Sequence, residues 1–341
     1  AGGGTGAVVA AFTAFELVWF NRRQNPEFDS ARWLSPPFSA ALIRRLGGEG
    51  RVFSPRAAAR HTQTFIAARG WQDPSPYFLH REVLQPNANL LHGLSALNAY
   101  AGISPTWSVE LIGDHNQPGL LRALDPPTPE RLTRLYDWME ALSVRWLIDP
   151  GFADTNRVAC YESPSGYAIH RLMGTLPRAR FAERVQRVTS ADELLARTLS
   201  GAFDPRRDVA LLTGEDVRRV AAAQSGDAGA PGDARIVVDR ATEVAVEAAS
   251  ARGGLLLLSD TYYPGWTATV DGVAAPILRA NIAHRGVVLP PGSHRVVFEF
   301  RSQTLRHGLA LTGLGLGLIA GAAFSLLASL RGPSPSGGRR A

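Results

Sequence analysis

The sequence contains no lysine: all 36 of its basic residues are arginine, set against 30 acidic ones for a net charge of +6. An all-arginine basic set fits GC-rich codon usage better than a nucleic-acid face. The arginines fall singly or in pairs, such as Arg22-Arg23, Arg44-Arg45, Arg206-Arg207 and Arg218-Arg219, with no basic run interleaved with aromatics. No nucleic-acid partner is therefore expected. Cysteine is nearly missing too. Cys160, the single one, excludes an intramolecular disulfide and any cysteine-rich metal site. His92, His115, His284 and His294 lack metal-ligand spacing. There is no phosphate-cradling glycine loop and no nucleophile elbow. Glu162 and Asp260 have no carboxylate partner at a fixed helical or strand spacing, and Asp114-His115-Asn116 reads as solvated loop. The residues alone thus name no catalytic group, no metal and no cofactor.

What the sequence does have is two long apolar runs in a chain otherwise ordinary for water, at 45% hydrophobic residues. Residues 308–330 carry no charge, are bracketed by Arg306 and Arg331, and dissolve into a polar tail at 331–341. A span needs about twenty apolar residues, so this run is read as a transmembrane helix. Gly313, Gly315, Gly317 and Gly321 suit close packing against neighbouring helices. Residues 6–20 are apolar apart from Glu16 and stop at Asn21-Arg22-Arg23. That run is short of a span, and residues 1–20 are expected to be a truncated transmembrane helix; a buried helix of a soluble domain is the alternative. With no charged leader and no small-residue cleavage site, the start reads as a cut through a longer protein. Arg331, Arg339 and Arg340 favour a cytoplasmic tail, while Arg22, Arg23, Arg301 and Arg306 lie on the other side. Since the charge rule is weak across a long domain, it only mildly favours an external position.

Between the runs, residues 21–155 read as mixed α/β. An amphipathic helix is expected at 38–46. A second opens on prolines at 126 and carries Leu132, Leu135, Tyr136, Met139 and Leu142 at helical spacing before a strand-like end at 144–148. A third is expected at 190–199, capped by Ser190 with Glu193 three residues on. Residues 156–302 are rich in short strands, with a linker or loop near 221–233. Strands are expected at 158–161, 167–171, 180–181, 185–188, 235–239, 243–249, 254–260, 266–270, 286–289 and 294–300. Asp271-Gly272 and Pro291-Gly292 read as hairpin turns. Strands with a turn every eight to twelve residues argue for an antiparallel sandwich. The expected fold is an α+β extracytoplasmic region ending in an antiparallel β-sandwich, flanked by transmembrane helices.

Residues 255–300 are the most informative. Ser259-Asp260, Tyr262-Tyr263-Pro264-Gly265-Trp266, Asp271-Gly272, Arg279-Ala280-Asn281, Pro291-Gly292 and His294 follow one another between strands, just before the last apolar run. This order resembles the C-terminal signature of the bacterial YfhO-family membrane proteins. Upstream, Gln85-Pro86-Asn87-Ala88-Asn89, the strand at 142–148 and the turn Leu176-Pro177-Arg178-Ala179 are similar to further segments of that family, in family order. The resemblance implies a polytopic protein of the GT-C glycosyltransferase type. Such a protein takes sugar from a polyprenyl-phosphate carrier and adds it to a cell-envelope acceptor on the outer face. It also implies that this chain is the C-terminal part, without the first external loop in which such enzymes keep their catalytic carboxylate. No catalytic residue is carried over. The implied partners are the lipid bilayer, a polyprenyl-phosphate-linked sugar and an envelope glycan or polymer.

Tyr262, Tyr263 and Trp266 suit a sugar-stacking platform, the alternative being a turn whose aromatics fill a core or sit at the membrane interface. Arg279, Asn281 and Arg285 suit a clamp on a lipid phosphate, or a brace for a loop. Asn87 and Asn89 suit an acceptor groove, or a structural turn. The expected function is the external portion of a glycosyltransferase-like membrane protein. The rival is a non-catalytic carbohydrate-binding or scaffolding ectodomain.

Overall fold

The computed structural model describes residues 3–21, 29–70, 72–85, 87–98, 105–113, 119–123, 128–224 and 232–330. The tail at 331–341, Arg22-Arg23, Asp114-His115-Asn116 and residues 225–231 of the expected linker lie outside the described residues.

Local chemistry sets the elements. The helix Pro129–Ala141 starts where the Thr128 hydroxyl accepts from the Arg131 N–H at 3.4 Å, with proline in its first turn and Glu130 beside the helix dipole. Its buried face carries Leu135, Tyr136, Trp138 and Met139. The helix Ala191–Ser200 is capped by Ser190, whose hydroxyl accepts from the Glu193 N–H at 3.1 Å. Phe38–Arg45 is also helical, and the Glu82 carboxylate, 44 residues away, accepts from the Phe38 N–H at 2.9 Å at its start.

In chain order the strands are β1 (Arg51–Phe53), β2 (Val144–Ile148), β3 (Val158–Glu162), β4 (Ala168–Leu172), β5 (Ala179–Phe181), β6 (Arg184–Arg187), β7 (Asp208–Leu211), β8 (Asp233–Arg240), β9 (Glu243–Ser250), β10 (Gly254–Thr261), β11 (Trp266–Val270), β12 (Val273–Ala275), β13 (Leu278–Ala280), β14 (His284–Leu289) and β15 (Gly292–Phe300). They make a mixed α+β fold with three sheets, ordered β1-β2-β4-β3, β5-β10-β14-β13-β7-β6 and β12-β11-β15-β9-β8. The first sheet crosses residue 155, because β2 on one side pairs with β4 on the other. In the second sheet β10 lies between β5 and β14, and its Leu255–Leu258 run is fully buried, as a strand covered on both faces requires.

Asp271-Gly272 closes the β11–β12 hairpin, with Val270 opposite Val273 and positive φ at both loop residues (50° and 84°). That is the backbone an Asp-Gly turn favours. Pro291-Gly292 differs from expectation. It links β14 of the second sheet to β15 of the third and is a crossover between sheets, not a hairpin. The strand-rich part also departs from a purely antiparallel layout, since β6 and β7 run parallel and the helices Ala191–Ser200 and Gly214–Ala223 interrupt it.

One core cluster stacks Trp138 on Phe203 at 5.8 Å and draws in Val158, Leu172, Ile282 and Ala283, so the helical part and the strand-rich part share it. Another joins Leu256, Leu258 and Val287 of the second sheet to Val246, Val296 and Phe298 of the third.

The helix Gln303–Leu330 contains a stretch, Thr304–Leu327, long and apolar enough to cross a membrane, with none of its window buried. Its leucines from Leu305 to Leu327 and Phe324 face outward all round, where a helix made for a water interface would keep a polar face. At about 1.5 Å per residue it reaches across the roughly 30 Å of a hydrocarbon core. Gly3–Asn21 is helical, but its apolar part among the described residues, Ala11–Phe20, is shorter than a crossing needs.

Candidate functional site

Strand β10 delivers the site. Four buried leucines lock it into the second sheet, and its register against β14 shifts between Leu258 and Thr261, the stretch that holds Ser259 and Asp260. A bulge of this kind re-aims side chains. The Asp260 carboxylate accepts hydrogen bonds from three arginines. Arg178 donates from Nε at 3.2 Å and from NH2 at 2.9 Å, Arg285 donates from NH2 at 3.2 Å, and Arg51 donates from NH2 to Oδ1. Arg178 also pairs with Asp239 near the end of β8 at 2.6 Å.

Arg51 reaches this node from β1 of the first sheet. Its NH1 donates to the Leu142 carbonyl at 2.8 Å and the Ser259 carbonyl at 2.7 Å, so one side chain ties the helical part to the end of β10. Burial opposes ionisation of Asp260, yet Arg51, Arg178 and Arg285 outweigh it and hold the carboxyl below its usual range. Burial pushes the Arg285 guanidinium down to about 10, against the pull of Asp260. His284, the next residue along, is 4% exposed, and burial followed by the charge of Arg51 takes its imidazole down to about 3, so it is neutral at ordinary pH.

Above this node lies a cleft of about 530 Å³ between the helical part and the strand-rich part. Its walls include Asn87 and Asn89 from one side and Trp266, His284 and Arg285 from the other. The Trp266 ring lies 3.9 Å from the Arg285 guanidinium carbon, a cation–π contact at the cleft wall. This size suits a small polar ligand or a sugar unit.

Of the residues expected from sequence, Asn87, Asn89, Trp266 and Arg285 meet in the cleft. Tyr262 stands edge-on to Trp107 at 5.9 Å, and Arg279 lies over the same Trp107 ring at 5.3 Å, forming a separate group. Tyr263 is 44% exposed and tilts against Phe300 at 6.2 Å. Asn281 is buried and braced on β7: its side-chain oxygen accepts from the Ala210 N–H at 2.8 Å, and its own N–H donates to the Ala210 carbonyl at 2.8 Å. Arg279, Asn281 and Arg285 therefore do not converge on one point.

Arg51, Arg178, Asp239, Asp260 and His284 are the groups that sequence reasoning left out. Arg178 and Asp260 did have a signal, since both sit inside motifs that carry the family resemblance. Arg51 had none. All four resemblance segments arrive here: Asn87 and Asn89 on the wall, the Leu142 carbonyl under Arg51, Arg178 from the Leu176–Ala179 turn, and Ser259, Asp260 and Trp266. Among the described residues no group of three or more His, Cys, Asp or Glu side chains is placed to hold a metal ion.

Residues 231–312 match the family model described as bacterial membrane protein YfhO. The match holds Asp260, Trp266, His284 and Arg285 and runs into the candidate span. No curated protein matches the chain.

Proposed function

Starting from its membership in the YfhO family of bacterial membrane proteins through residues 231–312, we propose that this chain is the extracytoplasmic C-terminal portion of a polytopic, glycosyltransferase-like protein. In this reading the missing membrane helices transfer sugar from a polyprenyl-phosphate carrier to a cell-envelope acceptor. Regions 21–155 and 156–302 form the aqueous part that covers the membrane site, the latter ending in a β-sandwich. The cleft between the helical and strand-rich parts binds the acceptor, with Trp266 as stacking face and Asn87, Asn89 and Arg285 as polar contacts. Tyr262, Tyr263, Arg279 and Asn281 extend or brace that surface. The observation that carries the reading is the arrival of three separate motif segments at one 530 Å³ cleft with an aromatic on its wall, the fourth meeting Arg51 of that wall through the Leu142 carbonyl.

The test is retention of the full chain, in detergent micelles, on immobilised envelope glycan. Trp266→Ala weakens retention about tenfold while the melting temperature holds; unchanged retention removes the acceptor role. The external placement has its own test, because Cys160 is the single thiol and is exposed on β3. A membrane-impermeant maleimide labels it on intact spheroplasts, and labelling only after lysis refutes the placement.

A second reading, a non-catalytic carbohydrate-binding or scaffolding ectodomain, is favoured by Arg51. Its donors are committed to joining the two parts of the fold, which is what a rigid scaffold needs.

A further inference from the structure

We infer that the cleft holds a phosphate-bearing ligand, bound by Arg285 with Arg178 alongside. The inference rests on the reading of the cleft as a ligand site and names the chemical group it takes.

The donors are the first ground. Arg285 is 3% exposed and lines the cleft, yet only its NH2 is engaged, by Asp260; Nε and NH1 have no hydrogen-bond partner. Buried guanidinium donors are normally satisfied, so two shielded, unpaired ones on a residue that lines the cleft mark an unmet demand for an acceptor. Arg51 contrasts with it, having two carbonyls and a carboxylate in hand.

Charge is the second ground. Four arginines (Arg51, Arg178, Arg240 and Arg285) line the cleft against two aspartates, Asp239 and Asp260, and with Arg240 paired to Glu243 at 2.8 Å one positive charge is left in excess. Arg279 stands opposite Arg285 in the β13–β14 ladder, but its guanidinium lies over the Trp107 ring and away from the cleft. A phosphate or diphosphate group, with several acceptor oxygens and about two negative charges, fits planar guanidinium donors better than a neutral sugar does. Trp266 packs on the Arg285 guanidinium at 3.9 Å.

The experiment is calorimetric titration of the full chain in phosphatidylcholine nanodiscs with inorganic pyrophosphate, and in parallel with cellobiose as a neutral sugar. Pyrophosphate binds saturably at one per chain. Arg285→Gln weakens it tenfold or more, and Asp239→Asn, which removes a half-exposed negative charge beside Arg178, tightens it several-fold. Asp239→Asn keeps the test decisive should Arg285→Gln fail to fold. No saturable binding, or an affinity that Asp239→Asn leaves unchanged, overturns the inference. Farnesyl diphosphate placed in the same bilayers separates the sources. Competition with pyrophosphate there identifies a lipid-borne phosphate, and pyrophosphate binding without such competition identifies a soluble one; either supports the site. Pyrophosphate binding with no glycan retention keeps this inference and ends the acceptor reading. Glycan retention without pyrophosphate binding does the reverse.

Discussion

Arg51→Met removes one guanidinium and with it the tie between the first sheet and the end of β10. The substitution leaves Asp260 short of one cation and takes the donor from the Leu142 and Ser259 carbonyls, all in surroundings where Arg51 is 8% exposed. Removing one partner from a buried ion pair costs about 3–5 kcal/mol, and an orphaned buried acceptor about 1–3 kcal/mol. Asp260 keeps Arg178 and Arg285, which limits the loss. Methionine also refills most of the volume. The net expectation is about 3–4 kcal/mol, or roughly 6 °C in melting temperature for a domain of this size. Intrinsic fluorescence of the seven tryptophans follows the melt. The partner measurement is the cycle with Asp260→Asn, for which a coupling of about 1–3 kcal/mol is expected. A shift below about 2 °C, or additive single and double variants, would show that the two regions are held by packing alone.

Acid lability follows from two buried histidines. His284 is pushed to about 3 and His80 to about 4, both from 6.5 and both chiefly by burial. The folded state keeps them neutral while the unfolded chain protonates, so stability falls as pH drops from about 6.5. By pH 5 the loss is about 2 kcal/mol for each. Asp260 acts lower: with its folded pKa depressed, its contribution is complete above the unfolded value near 4 and disappears as pH falls through the folded one. Urea midpoints at pH 7.5 and 5 check this, and His284→Gln should flatten the slope; an unchanged slope contradicts it. Glu82→Ala removes the carboxylate that accepts from the Phe38 and Ser39 N–H groups at 2.9 Å each and should cost about 2 kcal/mol by denaturant titration. Trp138→Ala, at 0% exposure and stacked on Phe203, should cost about 3–5 kcal/mol in the same assay.

What the sequence made legible was local. Ser190 with Glu193, and the Asp271-Gly272 loop, are chemistry acting within four residues, and both formed as read. Strand β9 formed where expected, but its faces do not alternate strictly, since Ala245 is buried along with Val244, Val246 and Ala248 while Glu247 is exposed. Pro291-Gly292 shows the limit: a turn residue says that the chain bends, not which sheet the next strand joins. That choice belongs to the strand edges of β9 and β15, which pair backbone to backbone over eight positions. The ionic node was invisible for the same reason. Asp260 meets Arg51, Arg178 and Arg285 across 209, 82 and 25 residues, and pairing at such range has no spacing to read.

The node also separates two tasks by residue. One buried carboxylate cannot satisfy three guanidinium groups, so each arginine needs a further partner. Arg51 finds main-chain carbonyls in both parts of the fold, and Arg178 finds Asp239. The unmet capacity therefore falls on Arg285, the one of the three that also stacks on the half-buried Trp266. A purely structural brace has no reason to leave that capacity on a cleft wall, where desolvation works against the charge. Stability rests on Arg51 and ligand capture on Arg285, so losing the first should lower the melting temperature, while losing the second should act on pyrophosphate affinity before it acts on the fold.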